Sequence, residues 1–442
     1  MYGLKTRFFR HGLRLCLVAL LALPLLSVRA AAPPPVQKRA LPPKESPFLE
    51  KTGKVLYAYE GDSLGDLYGW VGDPLGDQNG DGVSEYLVTA VTADGNHGKI
   101  YIYDGRTGDL IITQSPDTVQ LFGYSATDAG DVNHDGIPDY IVGGPAGSGR
   151  AVVFSGADHQ PLQEWTGDLG SFFGASVAGA GDVNADGYAD VIVGAPSTPN
   201  GLVEVFSGQD GSLLWSREGL TAGADLGVGL DSIGDINMDG VPDVVAAADA
   251  GGPAGTGQAY VFSGADGSLL LTMEPNGSPS TYGVFFARGA GDMNLDGTPD
   301  IFIGDYNADG GNGRAYVYSG SDGTILLEFL GQPGEGLGPG RAVEDLNGDG
   351  YRDLVIAGYT YGSTEEGRIY FFSGKDGSVL RTLTGSIPGD NLGVDALPLG
   401  DLNGDGRPEF MLTSVGNDFA GLDVGRMYVV SLAPFKPDKA AP

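Results

Sequence analysis

Acidic side chains recur in this sequence at a spacing that could bind a metal ion. Residues 131–139 read DVNHDGIPD, and residues 182–190 read DVNADGYAD. In the motif D-x-N-x-D-G-x-x-[DE], positions 1, 3, 5 and 9 carry carboxylate or amide oxygens, and position 7 can offer its backbone carbonyl. Glycine at position 6 permits a sharp turn. A site built from oxygen, without histidine or cysteine, favours Ca²⁺ over transition metals.

The motif occurs seven times along the 442 residues. Its copies begin at Asp77, Asp131, Asp182, Asp235, Asp292, Asp345 and Asp401. Successive copies are 51 to 57 residues apart, and a regular repeat of this length predicts a solenoid or a propeller. Asparagine is always at position 3 and glycine always at position 6, a uniformity that Asp-rich turns without metal do not require.

An EF-hand is the rival calcium motif, and it requires a bidentate glutamate at position 12 between two helices. In this sequence position 12 is always apolar. The residues there are Val88, Val142, Val193, Ala246, Ile303, Ile356 and Leu412. These residues are typical of a strand that faces a core, so the sequence excludes the EF-hand.

The segments around each acidic loop predict β-strands. Apolar runs of four to seven residues, such as YIVGG and AVVFS, are rich in Val, Ile, Tyr and Phe. Turns such as SGQDGS and SGKDGS precede the last strand of several repeats, and their Asp-Gly pair suits a tight hairpin. Each repeat is therefore predicted to be a four-stranded antiparallel sheet. Since one sheet cannot bury both faces, seven copies predict an all-β, seven-bladed β-propeller.

The two ends of the repeat array are predicted to complete one blade. Residues 53–60 resemble the fourth strand of a repeat, with no first three strands before them. At the other end, GRMYVVSL supplies a third strand, and no fourth strand follows it. We therefore expect the N-terminal strand to close the ring, so that the propeller spans residues 53–432. Closure also protects an edge strand from pairing with other molecules.

The N-terminus has the features of an export signal. Basic residues precede the apolar stretch LCLVALLALPLL, and small residues follow it, which predicts a signal peptide over residues 1–30. Residues 31–52 are rich in proline and charge and are interpreted as a linker, and residues 433–442 as a C-terminal tail. The mature chain is predicted to be secreted, without a membrane span. It has no cysteine once Cys16 is removed.

Short motifs in the repeats also carry a family resemblance. The Phe-Gly pairs at 122–123 and 173–174 and the GAP at 194–196 resemble FG-GAP repeats, the units of the integrin alpha-subunit propeller. The resemblance covers residues 53–432 and implies about seven structural Ca²⁺ ions. This sequence departs from the pattern where Leu-Gly replaces Phe-Gly, and where Glu85 and Glu409 replace aspartate at position 9.

The resemblance implies that side chains at positions 1, 3, 5 and 9 and the carbonyl at position 7 bind Ca²⁺. The implied ligands are Asp77, Asn79, Asp81, Val83 and Glu85; Asp131, Asn133, Asp135, Ile137 and Asp139; Asp182, Asn184, Asp186, Tyr188 and Asp190; Asp235, Asn237, Asp239, Val241 and Asp243; Asp292, Asn294, Asp296, Thr298 and Asp300; Asp345, Asn347, Asp349, Tyr351 and Asp353; and Asp401, Asn403, Asp405, Arg407 and Glu409.

Charge and motif content limit the function. Removing residues 1–30 takes away five basic residues and no acidic ones, so the formal charge falls from −32 to −37, and such a chain repels nucleic acid. Three histidines remain, without zinc-like spacing, and neither a nucleophile elbow nor a P-loop occurs, so no enzyme is predicted. We expect a calcium-binding, adhesion-like recognition module for an extracellular protein or glycan. The alternatives are a lectin and an extracellular enzyme of unknown substrate.

The face opposite the acidic loops is expected to hold the ligand, because its loops vary most among the repeats. The candidate contact residues there are Tyr306, Tyr359, Tyr361 and Phe419. One loop on this face, DYNADGGN, repeats part of the acidic motif through Asp305, Asn307 and Asp309. Its position 9 is Gly313, so an eighth, weak Ca²⁺ site is a hypothesis beside the simpler interpretation of a glycine-rich loop.

Overall fold

Seven four-stranded antiparallel sheets make up the described part of the chain, which is residues 46–435 except 117, 119, 253 and 417–423. This computed structural model confirms the all-β, seven-bladed propeller that the repeats predict. The predicted signal peptide, residues 31–45 of the predicted linker and residues 436–442 of the predicted tail lie outside the described residues.

The strands are numbered along the chain, beginning with β1 (Gly53–Glu60). Blade 1 is β2 (Tyr68–Gly76), β3 (Glu85–Ala90), β4 (Lys99–Tyr103) and β5 (Leu110–Gln114). Blade 2 is β6 (Ser125–Gly130), β7 (Asp139–Gly144), β8 (Arg150–Phe154) and β9 (Pro161–Thr166). Blade 3 is β10 (Ser176–Gly181), β11 (Asp190–Gly194), β12 (Leu202–Phe206) and β13 (Leu213–Glu218).

Blade 4 is β14 (Leu226–Gly234), β15 (Asp243–Ala248), β16 (Gln258–Phe262) and β17 (Leu269–Met273). Blade 5 is β18 (Ala287–Gly291), β19 (Asp300–Asp305), β20 (Arg314–Tyr318) and β21 (Ile325–Leu330). Blade 6 is β22 (Leu337–Val343), β23 (Asp353–Gly358), β24 (Arg368–Phe372) and β25 (Val379–Thr384). Blade 7 is β26 (Leu392–Gly400), β27 (Glu409–Ser414), β28 (Arg426–Leu432) and β1.

The predicted ring closure is confirmed in blade 7. Strand β1 pairs antiparallel with β28, in a register that runs from Gly53 opposite Leu432 to Glu60 opposite Arg426. The first strand of each blade contacts the first strand of the next, and β26 contacts β2, so the seven sheets form one closed ring. First strands therefore line the central channel, and last strands form the outer edge.

Hydrophobic cores lie between neighbouring blades. The second strands are buried along their whole length and the third strands along most of theirs, whereas outer strands such as β5 alternate between partly buried and exposed residues. Phe371 of blade 6 and Phe410 of blade 7 belong to one such core, with ring centroids 4.9 Å apart. Each sheet thus gains its second buried face from the next repeat.

The packed part of the chain begins earlier than the predicted boundary at residue 53. Phe48 is only 3% exposed and bridges to Gly385 after β25. The Glu50 carboxylate accepts hydrogen bonds from the Thr384 backbone N–H at 2.6 Å and the Thr384 hydroxyl at 2.8 Å. Residues 47–50 therefore contact blade 6 just before β1 begins, within the segment that the sequence predicts to be a linker.

Ionised side chains from the first strands meet inside the central channel. Arg341 of β22 donates from Nη1 to Oδ1 of Asp73 in β2 at 2.6 Å, and from Nη2 to Oδ2 of Asp395 in β26 at 3.3 Å. Asp73 also accepts a hydrogen bond from the Thr127 hydroxyl of β6 at 2.6 Å. Burying an unpaired guanidinium is strongly unfavourable, so Arg341 ties blades 6, 7 and 1 together through its ion pairs.

Asp128 lies in the same channel, and burial, followed by the nearby Asp73 carboxylate, raises its pKa to about 7. Asp139 of β7 is the other charged group that raises this pKa. A carboxyl whose pKa is higher in the folded state than in the unfolded state destabilises the protein increasingly as pH rises towards the folded pKa. We therefore expect Asp128→Asn to stabilise the protein on the order of 2 kcal/mol at pH 8 and by less at pH 5.

Thermal denaturation at the two pH values measures this difference. Asp168→Asn removes the same charge from an exposed position and serves as the control. An equal gain at pH 5 and pH 8, or the same gain from the control, would contradict the prediction.

Candidate functional site

All seven acidic loops connect the first strand of a blade to the second, so they lie at one end of the ring. In blade 2, Asp131 accepts backbone hydrogen bonds from Asp135 at 3.0 Å and from Gly136 at 2.9 Å. Asn133 Oδ1 also accepts from Asp135 N–H, and Asp135 Oδ1 accepts from Ile137 N–H, both at 2.9 Å. Positions 1, 3 and 5 therefore fold inward over their own loop backbone.

Position 9 begins the second strand and is fully buried in every blade. In blade 2, Asp139 Oδ2 accepts from Val132 N–H at 2.8 Å and from Asn133 N–H at 3.2 Å, and Oδ1 accepts from Gly156 N–H at 2.9 Å. Burial raises the pKa of Asp139 to about 6, although these three N–H donors lower it. A carboxylate has about four acceptor sites, so the group can still accept from a further partner.

Glutamate at position 9 keeps the bond to the backbone N–H of position 2. Glu85 Oε2 accepts from Gln78 N–H at 2.6 Å, and Glu409 Oε2 accepts from Leu402 N–H at 2.9 Å. The sequence motif is thus also a folding motif, because its last acid joins the loop backbone to the second strand in all seven blades.

The donors of each loop match a hard cation in their chemistry, since they are carboxylate, amide and carbonyl oxygens. Within the described residues, no group of three or more acidic, histidine or cysteine side chains is arranged as a metal centre. The structure does bring the motif residues of each loop together on one short turn, which connects the first strand of the blade to the second. The seven Ca²⁺ ligand sets stay predictions.

In the loop considered as an eighth Ca²⁺ site, the two aspartates contact other groups of the protein. Asp305 is fully buried and accepts hydrogen bonds from the Thr281 backbone N–H at 2.9 Å and the Thr281 hydroxyl at 3.0 Å. Asp309 instead forms an ion pair with Arg314, with Oδ2 2.5 Å from Nε. The two carboxylates are committed to separate partners, which favours the simpler interpretation of a glycine-rich loop.

Two short helical turns explain the resemblance of that loop to the acidic motif. They are α1 (Ala93–Asn96) in blade 1 and α2 (Ala308–Gly311) in blade 5. Each contains an Asp-Gly pair at positive φ, and Asp94 pairs with Lys99 as Asp309 pairs with Arg314. In these two loops the Ala-Asp-Gly sequence therefore forms a turn whose aspartate pairs with a basic residue five positions after it.

The opposite face of the ring carries a group of aromatic rings that the sequence analysis missed. Trp70 lies 5.8 Å from both Tyr124 and Phe285, and Tyr124 lies 5.4 Å from Phe285 and 5.7 Å from Phe172, measured between ring centroids. These residues lie at or just before the start of the first strands of blades 1, 2, 3 and 5. We call them the central aromatic group, because contact between blades 1 and 5 requires the rings to meet near the axis.

A local signal for this group was present in the sequence. Tyr124 and Phe172 flank Phe-Gly pairs, and Phe285 lies in VFFARG, each just before a first strand. Trp70 and Phe285 are partly exposed, and the Trp70 indole N–H donates to the Tyr124 carbonyl at 3.1 Å. The group is thus held in a fixed orientation at the mouth of the channel.

Of the four contact residues proposed from the sequence, three lie among the described residues, and these three differ in their exposure. Tyr306 and Tyr359 contact each other edge to face with centroids 6.0 Å apart, and Tyr359 is only 5% exposed. Tyr361 is partly exposed and lies beneath the Arg368 guanidinium, 3.6 Å from its ring centroid. Phe419 lies outside the described residues. Tyr359 therefore packs locally, and it is not a surface contact.

Comparison with known proteins agrees with this fold. A model of the FG-GAP repeat matches residues 173–211, and a model of the FG-GAP-like repeat matches residues 345–412. Integrin alpha-5 of Xenopus laevis is 31% identical over 213 residues, which is 42% of this chain and 20% of that protein. Integrin alpha-IIb of Mus musculus is 34% identical over 212 residues, again 42% of this chain and 20% of that protein.

The chain spans about a fifth of the length of these integrin relatives. Among solved structures, BBS1N in complex with ARL6DN aligns with a TM-score of 0.55 at 11% identity, covering 88% of this chain and 98% of that one. Sqt1 of Saccharomyces cerevisiae aligns with a TM-score of 0.52 at 12% identity, covering 80% of this chain and 82% of that one. At such low identity these two structures support the fold alone.

Proposed function

We propose that this chain, which carries FG-GAP repeats and resembles the propeller of integrin alpha subunits, is a secreted recognition module stabilised by Ca²⁺. Its ligand is an extracellular protein or glycan bound on the face opposite the acidic loops. The loops hold Ca²⁺ through the motif side chains and keep the first and second strands of each blade together. The described residues include no helix long and apolar enough to cross a membrane.

The central aromatic group is the observation that carries the recognition proposal. Large aromatic rings that are partly exposed and rigidly held provide much binding energy at little cost in side-chain entropy. Trp70 and Phe285 have this character, since packing against Tyr124 fixes both rings on the propeller scaffold. The formal charge of −37 on the chain after residue 30 favours ligands that are neutral or basic.

A lectin remains the second candidate, because the same partly exposed rings can stack on the apolar face of a sugar.

The enzyme alternative gains less support from the geometry. Asp73 and Asp395, two acids that come together away from the acidic loops, are held by Arg341 within the channel. Each of these carboxylates is already hydrogen-bonded to the Arg341 guanidinium, whereas a general acid or base must reach a substrate proton.

Binding of the mature protein to a glycan array and to a panel of extracellular proteins tests the proposal. Trp70→Ala is expected to weaken binding of any ligand found by at least about tenfold, because loss of a central aromatic contact costs 1–2 kcal/mol or more. Met238→Ala is the matched control, since Met238 is 75% exposed on the acidic-loop face. If Trp70→Ala folds normally and binds as tightly as the parent protein, the central aromatic group is not the recognition site.

A further inference from the structure

The seven acidic loops fall into two classes that differ in their internal contacts. Five loops, in blades 2 to 6, end in aspartate at position 9, and two end in glutamate. The glutamate loops belong to blades 1 and 7, which contain Glu85 and Glu409 and are adjacent in the ring. Since the other positions share one motif, each aspartate loop serves as an internal reference for the glutamate loops.

In both glutamate loops an arginine pairs with the position 5 carboxylate. Arg106 Nε lies 2.8 Å from Asp81 Oδ2, and its Nη2 donates to the Asp81 carbonyl at 2.6 Å. Arg407 Nη2 lies 2.7 Å from Asp405 Oδ2, and its Nε donates to Asp405 Oδ1 at 3.2 Å. The two arginines come from different places in their repeats, so one local sequence pattern does not explain both contacts.

The aspartate loops lack such a pairing. Their position 5 carboxylates have no ionic contact with Lys, Arg or His among the residues described, and they accept instead from the Asn side-chain amide of position 3 at 2.9 to 3.2 Å. These five residues are Asp135, Asp186, Asp239, Asp296 and Asp349. Their negative charge is therefore left without a cation from the protein.

The position 3 asparagine also changes partner in the glutamate loops. Asn79 Nδ2 donates to Glu85 Oε1 at 2.7 Å, and Asn403 Nδ2 donates to Glu409 Oε1 at 2.6 Å. Glutamate is one methylene longer than aspartate, which lets its second oxygen reach the amide. Position 9 thus gives one oxygen to the loop backbone and the other to asparagine, whereas the second oxygen of Asp139 accepts from the Gly156 N–H instead.

We propose that Arg106 and Arg407 take the place of Ca²⁺ in blades 1 and 7, so that only the five aspartate loops bind the ion tightly. This inference rests on the proposed calcium binding and changes its stoichiometry from about seven to five. A guanidinium already attached to the position 5 carboxylate repels a second cation and occupies one of its ligands. In blade 1, Asp104 adds a further acid 3.2 Å from the Asn79 amide, and Arg106 also offsets this charge.

The two loops in which arginine takes the place of Ca²⁺ lie where the ring closes. Blade 7 contains the pairing of β1 with β28 that closes the ring, and blade 1 is its neighbour. A covalently attached cation does not dissociate when Ca²⁺ becomes scarce, whereas a bound ion does. The seam of the ring therefore stays closed at Ca²⁺ concentrations that empty the other five loops.

Native mass spectrometry across a Ca²⁺ titration counts the bound ions directly. We expect five tightly bound ions for the parent protein and seven for the Arg106→Ala, Arg407→Ala double variant at the same free Ca²⁺. Arg150→Ala removes a surface guanidinium that pairs with Glu164 outside the loops, and it should leave the count at five.

Seven equally tight ions in the parent protein would overturn this inference and leave the proposed function intact, as would a double variant that still binds five. Binding of no Ca²⁺ at all would reject the calcium part of the proposed function as well. Hydrogen exchange provides a second measurement. Chelator should accelerate exchange in residues 131–139 and in the four other aspartate loops, and it should leave residues 77–85 and 401–409 unchanged.

Discussion

Excess chelator is expected to lower the melting temperature of the protein by roughly 10–20 °C, and Ca²⁺ is expected to restore it better than Mg²⁺. Each ion that binds only the folded state adds RT ln(1 + [L]/Kd), or about 2.7 kcal/mol when its concentration is 100 times Kd. Five independent sites of this kind would contribute about 14 kcal/mol. A shift of this size exceeds the effect of most single substitutions.

The acidic loops themselves explain the direction of the effect. Positions 1, 5 and 9 place three carboxylates on one turn of nine residues, and without a cation these groups repel one another. Mg²⁺ prefers shorter bonds and a stricter octahedral shell than Ca²⁺, so it should replace Ca²⁺ poorly in a flexible loop of carboxylate and carbonyl oxygens. Calorimetry in chelator, Ca²⁺ and Mg²⁺ at equal ionic strength separates specific binding from salt screening.

A variant with one damaged loop supplies the matched control. Asp135→Ala should reduce the chelator-dependent shift by about one fifth if the five aspartate loops are equivalent. Asp322→Ala changes an exposed acid in a hairpin turn, outside the acidic motif, and should leave the shift unchanged. An identical melting temperature in chelator and in Ca²⁺ would show that the loops do not stabilise the fold through metal.

Removing β1 is expected to have the other large effect, which is unfolding or aggregation of the whole propeller. Strand β1 covers the outer edge of β28, and its Glu60 forms an ion pair with the buried Arg426. A chain that begins at Gly61 would expose the full edge of β28 and leave Arg426 without this carboxylate. An uncovered edge strand pairs with other molecules, and a buried charge that loses an ion-pair partner destabilises the fold.

Three chain lengths make this prediction specific. A chain that begins at Ser46 keeps the residues that fasten β1 and should behave as the mature protein does. One that begins at Thr52 loses Phe48, which is 5.8 Å from the Tyr428 ring, and should lose about 3–5 kcal/mol of stability. Calorimetry and light scattering compare the three, and a monomeric, equally stable chain beginning at Gly61 would refute the role of β1 in closing the ring.

Local sequence patterns determined most of the architecture. Seven motif copies fixed the number of blades, and the alternation of apolar runs with Asp-Gly turns fixed four strands in each. The turn glycines have positive φ as the hairpins require, for example 74° at Gly211 and 70° at Gly267. The sequence also predicted that residues 53–60 pair with the last repeat, because this strand had no sheet of its own and the last repeat had no fourth strand.

Only the tertiary structure decided which side chains meet across the ring. Trp70 and Phe285 come from blades 1 and 5, and Arg341 reaches blades 7 and 1, contacts that depend on the twist and closure of seven sheets. The partners of the acidic residues were also decided there, since Arg106 is 25 residues from Asp81 and Asp305 bonds to Thr281. Strand periodicity and turn chemistry are local and can be interpreted from neighbouring residues. Contacts at the axis and within the loops depend on where distant backbones bring their side chains, and spacing along the chain does not encode this directly.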